Sequence, residues 1–289
     1  MLQMVRIWPI LICLAACGCN QLDLKGFLVP TSDGVQTRFE QSMEMNAKLK
    51  AGTVETTEEY MFYVAADPHV NKTHRHLDIF NDRFRNDSEA SFAVILGDCI
   101  DVRDNHPEYL KALEYHPERH LCKHPVFHVL GNHDIYFDGW EDFKELIGPS
   151  VYWFEAAFPD GKDLYITLDS ASGTFGRKQT EWFREFLEKN RSQYRHCVIL
   201  THVNIFYTDN SQKFSGNLAL EETYAFIDFL GKEDVTLVLH GHDHHREVVE
   251  YDDVLYTAVG TISDKSDTPE YLKAKVGPKG IQLDWQLDF

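Results

Sequence analysis

Short apolar runs of strand length alternate along the chain with segments whose apolar residues recur every three or four positions. The runs predict buried β-strands, and the helical spacing predicts amphipathic helices that pack against them. The predicted strands are Tyr60–Ala66, Phe92–Leu96, Val126–Leu130, Val151–Phe154, Leu164–Leu168, Val198–Leu200, Val235–Leu239, Glu247–Tyr251, Val254–Val259 and Ile281–Phe289. The predicted helices lie within residues 38–49, 77–84, 110–113, 140–147, 182–187 and 220–230.

Strands that alternate with helices are typical of an α/β domain built from layers. The last strands follow one another without intervening helices, which indicates antiparallel pairing and two sheets instead of one open parallel sheet. We therefore expect residues 59–289 to form the folded domain. Residues 17–58 show no clear period, and we expect a tether there together with one element, the helix in residues 38–49, that lies on the domain.

The first sixteen residues have a different pattern from the rest. Arg6 precedes the apolar run Ile7–Ala16, which only Pro9 interrupts. Ten residues are too few to span a bilayer, which takes about 20, but they suit the core of a secretory signal peptide. Leu14-Ala15-Ala16-Cys17 resembles the lipobox of bacterial lipoproteins, which implies that residues 1–16 are removed and that Cys17 is lipidated.

Three alternatives stay open at this end of the chain. Cys19 is a second candidate for lipidation, and an ordinary cleaved signal or a buried N-terminal helix would also contain this apolar run. The lipoprotein interpretation predicts an exported protein of the cell envelope, periplasmic or at the cell surface, held on a membrane by its acyl chains.

The composition limits the possible partners. The chain has 289 residues, with 28 Lys and Arg against 46 Asp and Glu, which gives a formal net charge of −18. Hydrophobic residues at 43% exclude a mainly disordered chain. The negative charge disfavours a nucleic-acid partner, because phosphates would be repelled at long range. Small phosphate substrates remain compatible, since bound cations invert the local field.

Polar residues follow five of the apolar runs at the point where each run ends. The five segments are Asp67-Pro68-His69, Gly97-Asp98-Cys99-Ile100-Asp101, Gly131-Asn132-His133-Asp134, Thr201-His202 and Gly241-His242-Asp243-His244. Ligands of α/β sheets collect beyond the carboxyl ends of the strands, so we expect these side chains around one crevice. Within an extended segment, residues two apart point to the same side, as Asp67 and His69 would.

This mixture of carboxylate, amide and imidazole groups, without a thiolate, suits divalent metals such as Mn, Fe or Zn. The candidate ligands are too many for one ion. Two ions about 3.5–4 Å apart, bridged by a carboxylate, would use most of them.

The five motifs, in this order over about residues 60–245, resemble those of the calcineurin-like metallophosphoesterase superfamily. Each motif alone is weak, whereas the ordered set is specific. The resemblance implies a four-layer α-β-β-α sandwich, in which helices flank two mixed sheets, and two divalent metal ions as cofactors. It also implies a metal-dependent hydrolase of phosphomono- or phosphodiester bonds, with a small phosphoester as substrate and a metal-bridging hydroxide as the attacking group.

The resemblance implies a role for each matching residue. One metal would be held by Asp67, His69 and His244, the other by Asn132, His202 and His242, and Asp98 would bridge both. His133 would be the catalytic histidine, acting as the general acid and paired with Asp101. A histidine held by a carboxylate is protonated near neutral pH and can give a proton to a leaving alkoxide, which agrees with this role.

Two residues differ from the motifs of known subclasses of this superfamily. Val102 stands where the Ser/Thr protein phosphatases have an arginine, and Asp101 stands where purple acid phosphatases have a tyrosine ligand. The resemblance is therefore to the broad bacterial phosphoesterase branch, with residues 102–124 and 203–220 expected at the rim of the site. Two other functions compete with hydrolysis of a small substrate: a surface lipoprotein that holds metals and binds a ligand without turnover, and a metal-dependent nuclease, which the charge disfavours.

Overall fold

In the computed structural model of the protein, the described residues are 34–48, 52–113, 124–208, 213–287 and 289. The predicted signal peptide lies outside these residues, as do residues 17–33, with Cys17 and Cys19, and 49–51 of the predicted tether and extension. The described helices are α1 (Val35–Asn46), α2 (Arg75–Asn86), α3 (His106–Ala112), α4 (Gly139–Leu146), α5 (Arg177–Asn190) and α6 (Leu220–Lys232). Short 3-10 helices cover Arg103–Asn105, His133–Asp138 and Arg191–Gln193.

Twelve strands are found in the described part of the chain. They are β1 (Gly52–Glu55), β2 (Tyr60–Ala65), β3 (Ala90–Ile95), β4 (Val126–His128), β5 (Tyr152–Phe158), β6 (Gly161–Thr167), β7 (Cys197–Leu200), β8 (Leu237–His240), β9 (Glu247–Tyr251), β10 (Val254–Ala258), β11 (Tyr271–Gly277) and β12 (Gly280–Gln286). One sheet has the order β1-β5-β6-β7-β8-β10-β9, and the other has the order β12-β11-β2-β3-β4. Both sheets mix parallel and antiparallel pairs.

The two sheets pack face to face, and helices cover their outer faces. Helices α2 and α3 pack on the five-stranded sheet, whereas α1, α5 and α6 pack on the seven-stranded sheet. A cluster rich in aromatic residues, including Phe62, Phe92 and Tyr165, fills the space between the sheets. The four-layer α-β-β-α architecture is therefore confirmed.

The central strands are apolar without interruption because both of their faces are covered. In β2, Phe62 and Val64 point into the space between the sheets, while Tyr63 and Ala65 point to the helices. All six residues of this strand are buried. The sequence of a strand in this position is therefore a continuous apolar run, without the alternation of apolar and polar residues seen in strands with one exposed face.

Two elements precede β2 and belong to the same fold. Helix α1 packs beside α5, where the ring of Phe39 lies 5.9 Å from that of Trp182. Strand β1 pairs in parallel with β5 and forms the edge of the larger sheet. The helix over residues 38–49 was expected to lie on the domain, whereas the pattern predicted no strand at residues 52–55.

Other differences from the predicted elements concern strands and helices with one polar face. Strand β11 was not predicted, although it pairs with both β2 and β12 in the five-stranded sheet. Helix α6 is present, but Leu220 and Tyr224 are 54% and 55% exposed, so they are not on its buried face. Among the described helices, none combines the length and the apolar character that a membrane span requires.

Candidate metal centre

Five loops meet where the two sheets present the carboxyl ends of their parallel strands. The loops after β2, β3 and β4 come from the smaller sheet, and those after β7 and β8 come from the larger one. Each loop carries one of the five predicted motifs. The crevice between the sheets therefore gathers side chains that are up to 177 positions apart, since it holds both Asp67 and His244.

Two glycines allow these loops to approach one another closely. Gly97 has φ +91, and a Cβ atom there would lie 2.6 Å from Nδ1 of His202. A Cβ atom at Gly131 would collide with the backbone nitrogen of Asp98. Both positions therefore need glycine, because a side chain would separate the loops that bring the motifs together.

The first cluster consists of Asp67, His69 and His244, whose candidate ligand atoms lie within 4.8 Å of one another. Nε2 of His69 is 3.0 Å from Nε2 of His244, and Oδ1 of Asp67 is 3.6 Å from the same His244 atom. Asp67 and His69 are buried, and Asp67 also accepts the backbone N–H of His242 at 3.0 Å.

The second cluster consists of Asn132, His202 and His242, which also lie against Asp98. Oδ1 of Asn132 is 3.0 Å from Nε2 of His202 and 3.0 Å from Nδ1 of His242. Nδ1 of His202 donates to the carbonyl oxygen of Leu96 at 2.8 Å. This bond directs Nε2 of His202 toward the cluster, where its lone pair can face a metal ion.

Asp98 lies between the two clusters. Its Oδ1 is 3.4 Å from Nε2 of His202, and its Oδ2 is 3.7 Å from Nε2 of His69. Oδ1 also accepts the backbone N–H of His133 at 2.8 Å, which fixes the carboxylate in this position. The two oxygens of one buried side chain thus face different clusters.

Burial holds two of the candidate ligand histidines in the neutral form. Burial lowers the pKa of His69 to about 4 and, with the help of His202, that of His242 to about 4, so these rings are neutral and keep a lone pair. Burial alone would raise the pKa of Asp98, but the neighbouring His202 and His133 hold it well below its usual range. Burial opposes a charge on His202, yet Asp98 raises the pKa of this ring to about 10. The attraction that favours a proton at this position also favours a metal cation.

His133 reaches the crevice from the loop after β4. One of its ring nitrogens lies within 4.8 Å of His69 and Asp98, and its ring packs 4.7 Å from that of Tyr136. Nδ1 donates to the backbone carbonyl oxygen of Asp101 at 3.0 Å. His133 therefore contacts Asp101 through the main-chain carbonyl, and not through the carboxylate that was expected to hold the ring.

The carboxylate of Asp101 points elsewhere. It lies 2.6 Å from Nζ of Lys265 and 2.8 Å from Nδ2 of Asn71, and its other oxygen is 3.7 Å from Nδ1 of His69. Sequence reasoning did not select Lys265 or Asn71. Asn71 follows His69 by two positions, which is a weak signal that it shares the same side of an extended segment, whereas no local pattern indicates Lys265.

Asp134 is a third residue that sequence reasoning did not select. Its carboxylate accepts the backbone N–H groups of Cys99 and Gly131 at 2.9 and 2.8 Å, and so ties the second motif to the third. Burial, and then the charge of Asp98, raise the pKa of Asp134 to about 8, while the backbone donors oppose this shift. The signal was its position inside the Gly-Asn-His-Asp motif.

Five of the seven predicted metal ligands have a left-handed backbone. The φ angles are +52 for Asp67, +45 for His69, +49 for Asp98, +73 for His242 and +60 for His244. This conformation costs a residue with a Cβ atom about 1 kcal/mol or more. Strained positions of this kind cluster at functional sites, where the surrounding structure enforces them.

The comparisons with known proteins agree with this geometry. The sequence model of the family described as calcineurin-like phosphoesterase matches residues 60–246, which include all five motifs. The chain belongs to this family. The resemblance stated from the motifs is thereby confirmed, and the chain is a phosphoesterase by family with clusters of His and Asp residues suited to divalent metal ions. A search of curated proteins gave no match.

Solved structures with a similar fold include two phosphatases and an anchor protein. A dimetal phosphatase from Danio rerio is 14% identical, with a TM-score of 0.56 over 78% of this chain and 95% of that one. The purple acid phosphatase PPD1 from yellow lupin is 11% identical, with a TM-score of 0.60 over 80% of this chain and 52% of that one. GAP50, described as the anchor in the inner membrane complex of Plasmodium, is 16% identical, with a TM-score of 0.58 over 80% of this chain and 87% of that one. At these identities the likeness concerns the fold.

Proposed function

We propose that the protein is a hydrolase of small phosphomono- or phosphodiesters that depends on two divalent metal ions. The observation that carries this proposal is the position of Asp98, whose two carboxylate oxygens face two separate clusters of ligand atoms. A single metal site would need only one of these clusters. Two clusters that share a carboxylate are the arrangement of dinuclear hydrolases.

The donor atoms fit metal ions of this kind. Two imidazole nitrogens, of His69 and His244, face each other at 3.0 Å, and an amide oxygen faces two more imidazole nitrogens in the second cluster. Nitrogen and oxygen donors without a thiolate suit Mn, Fe or Zn. We assign Asp67, His69 and His244 to one ion, Asn132, His202 and His242 to the other, and Asp98 to both.

The remaining residues have roles that follow from their own contacts. When bound, the cations supply positive charge for the phosphoryl oxygens and make hydroxide available near neutral pH. His133 serves as the general acid for the leaving alkoxide. Because its Nδ1 hydrogen is given to the Asp101 carbonyl, Nε2 is the ring nitrogen that holds and transfers the proton. Asp101 orients the ring through its main chain.

The test is metal-dependent turnover by the purified protein. Bis-p-nitrophenyl phosphate and p-nitrophenyl phosphate are offered in parallel, each with Mn²⁺, with Zn²⁺, with Fe²⁺ and with a chelator. Cleavage that requires a metal supports the proposal, and the preferred compound separates a diesterase from a monoesterase. Two bound metals without cleavage of either compound would favour a ligand-binding lipoprotein instead.

We also propose that the chain is an exported lipoprotein with Cys17 as its anchor. The support is the lipobox-like Leu14-Ala15-Ala16-Cys17 after an apolar run that is too short to span a membrane. Membrane fractionation of the wild type and of Cys17→Ser tests this proposal. Release of the variant from the membrane is expected. A Cys17→Ser variant that keeps the lipid mass on its mature N-terminus would assign the anchor to Cys19.

A further inference from the structure

The end of β6 nearest the crevice is held by a buried ion pair with the N-terminal helix. Nε of Arg38 in α1 is 2.8 Å from Oδ2 of Asp169, and Nη2 of Arg38 is 3.0 Å from Oδ1. Both side chains are fully buried. Arg38 lies before the stretch of residues 60–246 that matches the family, so this contact joins a helix outside the matched stretch to a residue inside it.

Asp169 fixes the turn that follows β6. Its carboxylate accepts the backbone N–H of Ala171 at 3.1 Å, and Nη2 of Arg38 also donates to Oγ of Ser172 at 2.9 Å. Arg38 therefore holds both ends of the turn formed by residues 169–172. Without the guanidinium, the carboxylate would be left as a buried charge that lacks its counter-ion, although Ser150 and Gln179 would still bond to Asp169.

The same turn supports the loop that carries His202. Ser170 lies in the turn, and its Oγ accepts the backbone N–H groups of His202 at 3.2 Å and Val203 at 2.9 Å. It also bonds to Oγ1 of Thr201 at 2.8 Å. All of these side chains are buried, so no water can substitute for the hydroxyl without rearrangement.

We propose that Arg38 is a positioning residue for the metal centre, acting on His202 through Asp169 and Ser170. The proposal rests on the assignment of His202 as a metal ligand. Groups that orient a ligand without touching the metal commonly change its affinity about 10–100-fold when they are removed. The N-terminal helix, expected to be part of an extension, would thus be a component of the active site.

A second buried carboxylate with an arginine partner, at the other end of β6, provides a control. At the opposite end of β6, Nε and Nη2 of Arg195 lie 3.0 and 2.6 Å from the two oxygens of Asp163, which is also fully buried. Six residues of extended chain separate Asp163 from Asp169, or about 20 Å. Arg195→Met therefore breaks an Arg–Asp pair at the end of β6 away from the metal clusters, although Arg195 is 19% exposed whereas Arg38 is fully buried.

The experiment compares Mn²⁺ binding to the wild type, Arg38→Met and Arg195→Met by calorimetric titration and elemental analysis, with the melting temperature of each. We expect both variants to lose thermal stability, and only Arg38→Met to bind one of its two Mn²⁺ ions about 10–100-fold more weakly. Equal stability losses with unchanged Mn²⁺ affinity in both variants would overturn the proposal and leave Arg38 a purely structural residue.

A second variant and the metal content of the wild type make the result interpretable if Arg38→Met does not fold or if metal binding itself fails. If Arg38→Met does not fold, Ser170→Ala removes the hydroxyl that supports His202 while the ion pair stays in place, and the same loss at one Mn²⁺ site is expected. Unchanged Mn²⁺ binding by Ser170→Ala would then overturn the proposal. A wild type that binds none of Mn²⁺, Zn²⁺ and Fe²⁺ would contradict the proposed function itself. If the wild type binds two ions, a change in Arg38→Met tests the role of Arg38 alone.

Discussion

Nδ1 of His133 lies 3.0 Å from the backbone carbonyl oxygen of Asp101, while the carboxylate of Asp101 contacts Lys265 and Asn71. A carbonyl orients the ring and fixes which nitrogen carries the hydrogen, but it brings no full negative charge to the imidazole. The general acid is therefore positioned by the main chain, and the side chain of Asp101 is left for another contact.

Because the main chain of Asp101 orients His133, we expect His133→Ala and Asp101→Asn to differ in their effect on kcat. His133→Ala is expected to lower kcat by about 10²–10⁴ because the proton donor is lost. Asp101→Asn keeps the main-chain carbonyl, so its kcat is expected to stay within about tenfold of the wild type. Steady-state kinetics with an ordinary alkyl leaving group measures both, and metal analysis of His133→Ala is expected to find both ions. Equal losses in the two variants would show that the carboxylate is the group on which His133 depends.

Asp98 faces both clusters, and its loss is expected to empty both sites. The metal content of Asp98→Asn after dialysis, measured by elemental analysis, is expected to be fewer than about one ion per chain, against about two for the wild type. Asn132 belongs only to the second cluster, so Asn132→Ala is expected to retain about one ion. Asp243→Asn serves as the control, since this residue lies between two ligands but contacts Thr208. Unchanged metal content in Asp98→Asn would refute the bridging assignment.

Lys265 is a cation at the rim of a strongly acidic protein. Its removal leaves the Asp101 carboxylate without its nearest positive charge, so an anionic substrate is repelled. Lys265→Met is expected to raise KM for p-nitrophenyl phosphate about fivefold, with a smaller effect on the singly charged diester. Lys279→Met makes the same charge change on the exposed β11–β12 turn, at the other end of the sheet, and is expected to have no effect. Matching effects of the two variants would indicate a response to net charge alone.

The convergence of ligand atoms also links metal binding to stability. An ion that binds only the folded chain stabilises it by about 2.7 kcal/mol when its concentration is 100 times the dissociation constant. Chelation is thus expected to lower the melting temperature by about 5 °C or more, and added Mn²⁺ is expected to restore it. Differential scanning calorimetry with and without chelator measures the shift. A melting temperature that neither chelator nor added Mn²⁺ changes would argue against metals at this site.

The layered fold and the meeting of the five motifs were predictable from local patterns. Fully buried strands such as β2 are marked by continuous apolar runs, and the motif at each strand end follows from where such strands place their carboxyl ends. Strands with one polar face were harder to detect. In β11, Lys273 and Lys275 interrupt the apolar residues, although Lys273 lies on the ring of Tyr63 and bonds to Asp87.

Local sequence patterns could not predict the contacts that support the site, because these contacts join residues far apart in the chain. Arg38 and Asp169 are 131 positions apart, and neither stands in a pattern that indicates a buried partner. The pairing of Lys265 with Asp101 spans 164 positions and arises only when the loop after β10 folds across the crevice. Periodicity predicts which face of an element is buried, but it does not indicate which distant charge will meet it.

The left-handed backbone at five of the metal-ligand positions has a consequence for how this sequence could change over generations. Each strained residue is retained against a conformational cost that glycine would not bear. A duplicate of the gene released from the need to bind metal would no longer be selected to hold five side chains in this backbone conformation, and its ligand set would be lost before its buried sheets change. Such a descendant would keep the four-layer sandwich without the chemistry of its crevice.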